Sequence, residues 1–157
     1  MPSNKDWGPP FWTLLHSLAE RLGTQALDTM AADEAREMVL VLKGVEFVMP
    51  CEKCRAHFHE YRVKHPLDSY MERRGTYLRQ GIREWIYNLH EQVNARNGAP
   101  SFPLEQLTPQ YKFIDIPSVW TTLLKYLQTA VSNGQIIGEN LKSFRRHLTL
   151  LRATLGI

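Results

Sequence analysis

Cysteine is nearly missing from this sequence. Its 157 residues hold two, Cys51 and Cys54, in the stretch MPCEKCRAHFHEY at 49–61. Two cysteines exclude a disulfide-stapled secreted scaffold, and without a second pair there is no four-cysteine zinc site. Long apolar runs are missing too. The most apolar one, MVLVLKGVEFVM at 38–49, is broken by Lys43 and Glu46 and is too short to span a bilayer. MPSNKDWGPP at the N-terminus has no apolar core of a signal peptide, so the expectation is a cytoplasmic protein without a membrane partner. Charge of one sign is scarce. A net charge of +3 on interspersed Lys, Arg, Asp and Glu permits an acidic partner without demanding one. Repeats, low-complexity tracts and alternating strand patterns are all lacking.

What remains is helical. Hydrophobic residues make up 43% and charged residues 22%, the composition of a globular domain large enough to bury a core. PPFWTLLHSLAERLG at 9–23 opens on proline, closes on glycine, and carries Phe11, Leu14, Leu15, Leu18 and Leu22 on one face. DEAREMVLVLKGVEFVM at 33–49 is apolar nearly all round in its middle. Five consecutive apolar positions, 38–42, cover both faces of a helix, which predicts burial against the core on one side and against a second copy on the other. Pro50 ends that segment; a third helix runs 51–64 and stops at His65-Pro66. Residues 66–75 predict a turn with a short helical piece, and 76–98 a long helix with Gly98 at its C-cap. The stretch 99–113, with three prolines, reads as a loop. Two striped helices follow, with Val119 to Val131 on the first and Leu141 to Leu155 on the second, joined by a turn at SNGQIIGEN. The fold class is all-α with five or six helices.

The C-x-x-C pair admits three readings: a redox disulfide, half a metal site, or structural thiols. On a helix, residues three apart face the same way. The start of a helix, with free N–H groups and with Lys53 and Arg55 nearby, stabilises a thiolate. The metal reading needs His57, His59 or His65, none of them paired at zinc spacing from a separate element. His59 is expected in solvent and His65 at a helix end. Elsewhere Trp12 and His16 are four apart, and His90, Val93 and Asn94 share a face. Singly each group fits an ordinary core margin; together they could clamp an aromatic ligand with a polar edge.

WGPPFWTLLHSLA, PCEKCRAHF and REWIYNLHEQVNARNGAPSF, in that order, resemble the FAD-linked sulfhydryl oxidases of the Erv/ALR family over about residues 7–113. The resemblance implies a four-helix bundle holding FAD, with a short fifth helix and a habit of dimerising through its first two helices. It implies a domain at 1–113, leaving 114–157 as a helical extension packed on it or dimerising with it. Position by position, it implies that Gly8, Trp12 and His16 hold the flavin and its adenine end. His90, Val93 and Asn94 would pack on the cofactor, with Arg96 where the family often has Lys and Phe102 matching an aromatic. Cys54 would lie against the flavin as a charge-transfer thiolate, and Cys51 would be the interchange thiol that the client attacks. The implied activity is thiol oxidation to disulfide, with electrons passing to FAD and then to O2 to give H2O2.

Two features depart from the family's pattern. There is no shuttle cysteine pair, and Tyr87 and Leu104 stand where a disulfide often ties the fourth helix to the following loop. Both resemble the compact enzymes of large cytoplasmic DNA viruses, which would act in host cytoplasm at virus assembly sites. The implied partners are thiol-bearing clients or a small C-x-x-C carrier, and a second copy in a homodimer. The competing readings are a zinc-stabilised helical binding module and a nucleic-acid binder through KSFRRHLTLLR, whose basic residues fit the solvated face of its helix better.

Overall fold

The computed structural model describes residues 2–157, which form seven α-helices and two 3-10 turns with no strand among the described residues. The helices are α1 (Asn4–Arg21), α2 (Asp28–Val45), α3 (Glu52–Lys64), α4 (Gly75–Arg96), α5 (Leu107–Tyr111), α6 (Ile116–Ser132) and α7 (Gly138–Leu155). The seventh comes from α5, a single short helix inside the proline-containing stretch that reads as loop.

Helix boundaries differ most at α1 and α2. The first helix starts at Asn4, so Pro9 and Pro10 lie inside it. Ser3 caps it, its N–H and hydroxyl both donating to the Asp6 carboxylate. The N–H groups that proline removes would have bonded carbonyls near the helix start, on its solvent side, where water satisfies them. Helix α2 starts at Asp28 and ends at Val45, leaving Glu46–Met49 as a turn ahead of Pro50. Helix α4 ends as its sequence predicts. Gly98, at φ +68°, lets the Ala99 N–H reach the Asn94 carbonyl at 2.8 Å.

Helices α1 to α4 pack around Leu14, Leu18, Met38, Leu42, Ile82 and Ile86, all fully buried. The same apolar cluster continues without a break into Leu123, Leu127, Phe144, Leu148 and Leu151 of α6 and α7. Helix α6 lies along α1, and α7 lies antiparallel along α2. The apolar surplus of α2, from which an α1–α2 homodimer is expected, is therefore covered by α7 of the same chain. Contact is close: a Cβ on Gly44 would stand 3.2 Å from the Phe144 ring. Phe144 also meets Phe11 and Trp120 at centroid distances of 6.1 and 5.9 Å. Lys142, Arg145 and Arg146 sit on the opposite, exposed face of α7.

Buried glutamates tie the layers together. Glu37 of α2 meets His147 of α7 at 2.7 Å, and Glu20 of α1 meets Arg83 of α4 at 2.7 Å. Thr108 of α5 donates to the other oxygen of Glu20. Arg21 donates to the carbonyls of Lys112 and Ile114, which pins the α5–α6 junction to the end of α1. Glu34 accepts the Gly23 N–H at 2.7 Å, and burial raises its pKa. A buried carboxylate with a partner specifies register, whereas the same group unpaired would be expelled.

Candidate active site

Pro50 ends the turn after α2 and sets Cys51 in extended backbone as the N-cap of α3. Cys51 and Cys54 form a disulfide with their Cα atoms 5.1 Å apart, and the Cys54 N–H points at the Cys51 sulfur, 3.1 Å away. Both sulfurs are half-buried. They sit at the positive end of the α3 dipole, a setting that stabilises a thiolate when the bond opens. The Asn4 amide of α1 stands 3.6 Å from the Cys54 sulfur and 3.8 Å from that of Cys51.

The disulfide opens onto a cavity of about 550 Å³ between α1, α3 and α4. Trp7, Gly8 and Trp12 form one wall, His57 and Phe58 another, and Leu89, Val93, Arg96 and Asn97 the third. Lys53, His57 and Arg96 supply its charged and titratable groups, and no carboxylate lines it. An aromatic, electropositive cleft of this size suits a planar ligand with an anionic part. Gly8 leaves room for a ligand to approach the backbone closely, since a Cβ there would meet no atom within 4 Å.

The expected site residues divide into three groups. Cys51, Cys54, Gly8, Trp12, Val93 and Arg96 line the cavity together. His16 and His90 lie behind Trp12: His90 stacks on the Trp12 ring at 4.1 Å and its Nδ1 is 2.9 Å from His16 Nε2. Tyr111 of α5 stacks on the other histidine, His16, at 4.6 Å. Asn94 and Phe102 do not line the cavity. They belong to a cluster around Glu91, whose carboxylate accepts from Asn94 Nδ2, Ser101 Oγ and the Phe102 N–H. Tyr87 donates its hydroxyl to the Phe102 carbonyl at 2.6 Å, while Leu104 is exposed. Hydrogen bonds thus hold the loop to α4 without a disulfide.

Burial pushes His16 down to about 3, helped by His90 beside it. Burial likewise pushes His90 down to about 4, against Glu91, which pulls upward. Both rings are neutral in the fold, one donating and one accepting. Because these values lie below the unfolded value near 6.5, the unfolded chain binds more protons throughout that interval. Stability is therefore complete above about pH 6.5 and falls as pH drops toward 4, by at most about 1.4 kcal/mol per pH unit for each group. Half-exposed His90 contributes less than its share. Urea titrations between pH 7 and pH 5.5, before most carboxylates protonate, check this; an unchanged midpoint would contradict it.

Asn4, Trp7, Met49, Phe58, Leu89 and Asn97 complete the lining and are missed by the sequence reading. A signal existed for the first. Ser3 and Asp6 have capping-box spacing, which starts the helix early enough to align Asn4, Gly8 and Trp12 at intervals of four.

A disulfide at a helix N-terminus thus faces a ligand-sized aromatic cavity inside a helical bundle. Residues 9–112 match the Erv1 / Alr family, and the chain belongs to it. It is 24% identical over 115 residues to the FAD-linked sulfhydryl oxidase ERV1 of Oryza sativa subsp. japonica, covering 73% of this chain and 54% of the rice protein. It is 26% identical over 109 residues to the putative FAD-linked sulfhydryl oxidase 096R of Invertebrate iridescent virus 3, covering 69% of this chain and 67% of that protein. The chain thus spans about half the length of the rice relative. No solved structure matches it significantly. No helix among the described residues is long and apolar enough to cross a membrane.

Proposed function

We propose that this chain is an FAD-dependent thiol oxidase that makes disulfides in protein clients or in a small dithiol carrier. The observation that carries the reading is the Cys51–Cys54 disulfide opening onto the aromatic cavity. A client thiolate attacks Cys51 Sγ, the Cys51–Cys54 bond breaks, and Cys54 departs as a thiolate. The client's second thiolate then attacks the client sulfur of the mixed disulfide and releases Cys51. The client has lost two electrons and the protein's pair has gained them. FAD, when bound, supplies the two-electron chemistry that returns the pair to a disulfide and passes the electrons to O2, giving H2O2.

The chain's own part is binding and orientation. Trp7, Gly8, Trp12 and Val93 offer the flat apolar slot, and Lys53 and Arg96 the positive rim. The neutral His16–His90 pair braces Trp12 from behind. Asn94 and Phe102 act at one remove, by closing the loop through Glu91. The zinc reading has no support, because no three His, Cys, Asp or Glu side chains converge among the described residues. A homodimer through α1 and α2 would need the surface that α6 and α7 occupy, so we favour a single copy as the working unit.

The deciding experiment supplies FAD to the purified chain, removes the excess and adds dithiothreitol in air. Retained flavin absorption and one H2O2 per dithiol oxidised are expected. A protein that retains no flavin, or consumes no oxygen with flavin bound, would refute the reading.

A further inference from the structure

The turn between α6 and α7, residues 133–137, reaches the redox loop. Gln135 Nε2 donates to the Pro50 carbonyl at 3.3 Å, and the Gln135 carbonyl accepts from Arg55 at 3.2 Å. The same Arg55 nitrogen donates to the Met49 carbonyl at 2.6 Å. The two backbone carbonyls immediately before Cys51 are thus each held, one by Gln135 itself and one by an arginine that Gln135 helps to place. The turn is firm enough for this. The Gln135 N–H closes on the Ala130 carbonyl at 2.8 Å, Gly134 takes φ +75°, and Ile136 is buried in the core. Gln135 Oε1 is buried without a partner, so the side chain holds its rotamer at the cost of an unpaired oxygen.

We propose that the 133–137 turn of the C-terminal helices is a positioning element of the redox site, with Gln135 as its contact residue. The argument rests on the Cys51–Cys54 pair being the working disulfide. Cys54 is fixed by its place inside α3. Cys51 precedes the helix, and its position depends on the Met49–Pro50 backbone. Holding that backbone keeps the two sulfurs within bonding reach after reduction, which raises their effective concentration and favours re-formation of the disulfide. The helices beyond residue 112, outside the family match, thereby set how oxidising the pair is as well as covering α1 and α2.

The first test substitutes Gln135→Met, which keeps the length and removes the donor. The full chain is equilibrated anaerobically with reduced and oxidised glutathione, trapped by alkylation and weighed. One lost hydrogen bond predicts a shift of about three- to tenfold toward the dithiol. A merely structural Gln135 would lower the melting temperature and leave this equilibrium alone. The second test needs no variant. Coupling is reciprocal, so reducing the parent protein with dithiothreitol should speed amide exchange at 133–137. An equilibrium in Gln135→Met identical to the parent's, or exchange at 133–137 indifferent to reduction, overturns the proposal. Neither measurement depends on oxidase turnover, so each can fail while flavin-dependent peroxide production succeeds.

Discussion

Cys51→Ser and Cys54→Ser are each expected to drop dithiol oxidation to background, yet to leave different proteins behind. Each removes one half of the only disulfide, so no two-electron exchange with a client can complete. Replacing Cys51 leaves Cys54 as a lone thiol with the Asn4 amide 3.6 Å away, at the positive end of α3. A thiolate there, against bound oxidised flavin, should give a long-wavelength absorption band. Replacing Cys54 leaves Cys51 as a free thiol at the N-cap, which can open an oxidised client's disulfide and hold one of its sulfurs while the other leaves as a thiolate. The measurements are turnover with dithiothreitol, a visible spectrum, and the mass of a trapped client adduct. A band in Cys54→Ser alone would exchange the two roles. Undiminished turnover in either variant would remove the pair from the mechanism.

Deleting 114–157 should be equally severe, and for stability rather than chemistry. Leu123, Leu127, Phe144, Leu148 and Leu151 are all buried against the rest of the chain. Each contributes roughly 1.5–3 kcal/mol by burial, so together they match or exceed the whole stability of an ordinary domain. The deletion also takes His147 from Glu37 and bares the α2 face on which that carboxylate lies. At micromolar concentration the full chain is expected to sediment as one copy. The truncated chain should unfold or bury its bared α1–α2 face by self-association. A truncated protein that stays monomeric and melts with the parent would show that α6 and α7 only decorate the bundle. A full chain that sediments as a dimer would require an interface elsewhere on the surface.

The working pair was legible because its chemistry is local. Spacing, a preceding proline and flanking cations put Cys51 and Cys54 at a helix start, where the structure has them. The paired histidines were legible as faces, although not as partners of each other, since periodicity places a residue on a helix without saying which helix lies opposite. Helix α2 shows the limit most clearly. Its five apolar positions call for cover on both faces, from a second copy or from the C-terminal helices, and in this fold α7, more than ninety residues later, supplies it. Glu34 and Glu37 show the same limit: no local pattern marks their burial, which the Gly23 N–H and His147 make tolerable. Asn94 and Phe102, which the resemblance puts on the cofactor, are joined through Glu91 in a loop contact that no local pattern announces.

The seam between α4 and its following loop has a consequence for how this protein meets its own chemistry. Burial raises the Glu91 pKa, but the bonds from Ser101, Phe102 and Asn94 outweigh it and hold the carboxylate below its ordinary value. Its grip is present above about pH 4.5 and is lost as acid protonates it. A cysteine staple at this seam would fail in reductant instead. With no cysteine besides Cys51 and Cys54, the molecule has no scaffold cross-link to scramble, and glutathione can act on that pair alone. Every thiol that a titration counts on this chain therefore belongs to Cys51 or Cys54, so the redox state of a whole sample can be read as the redox state of one site.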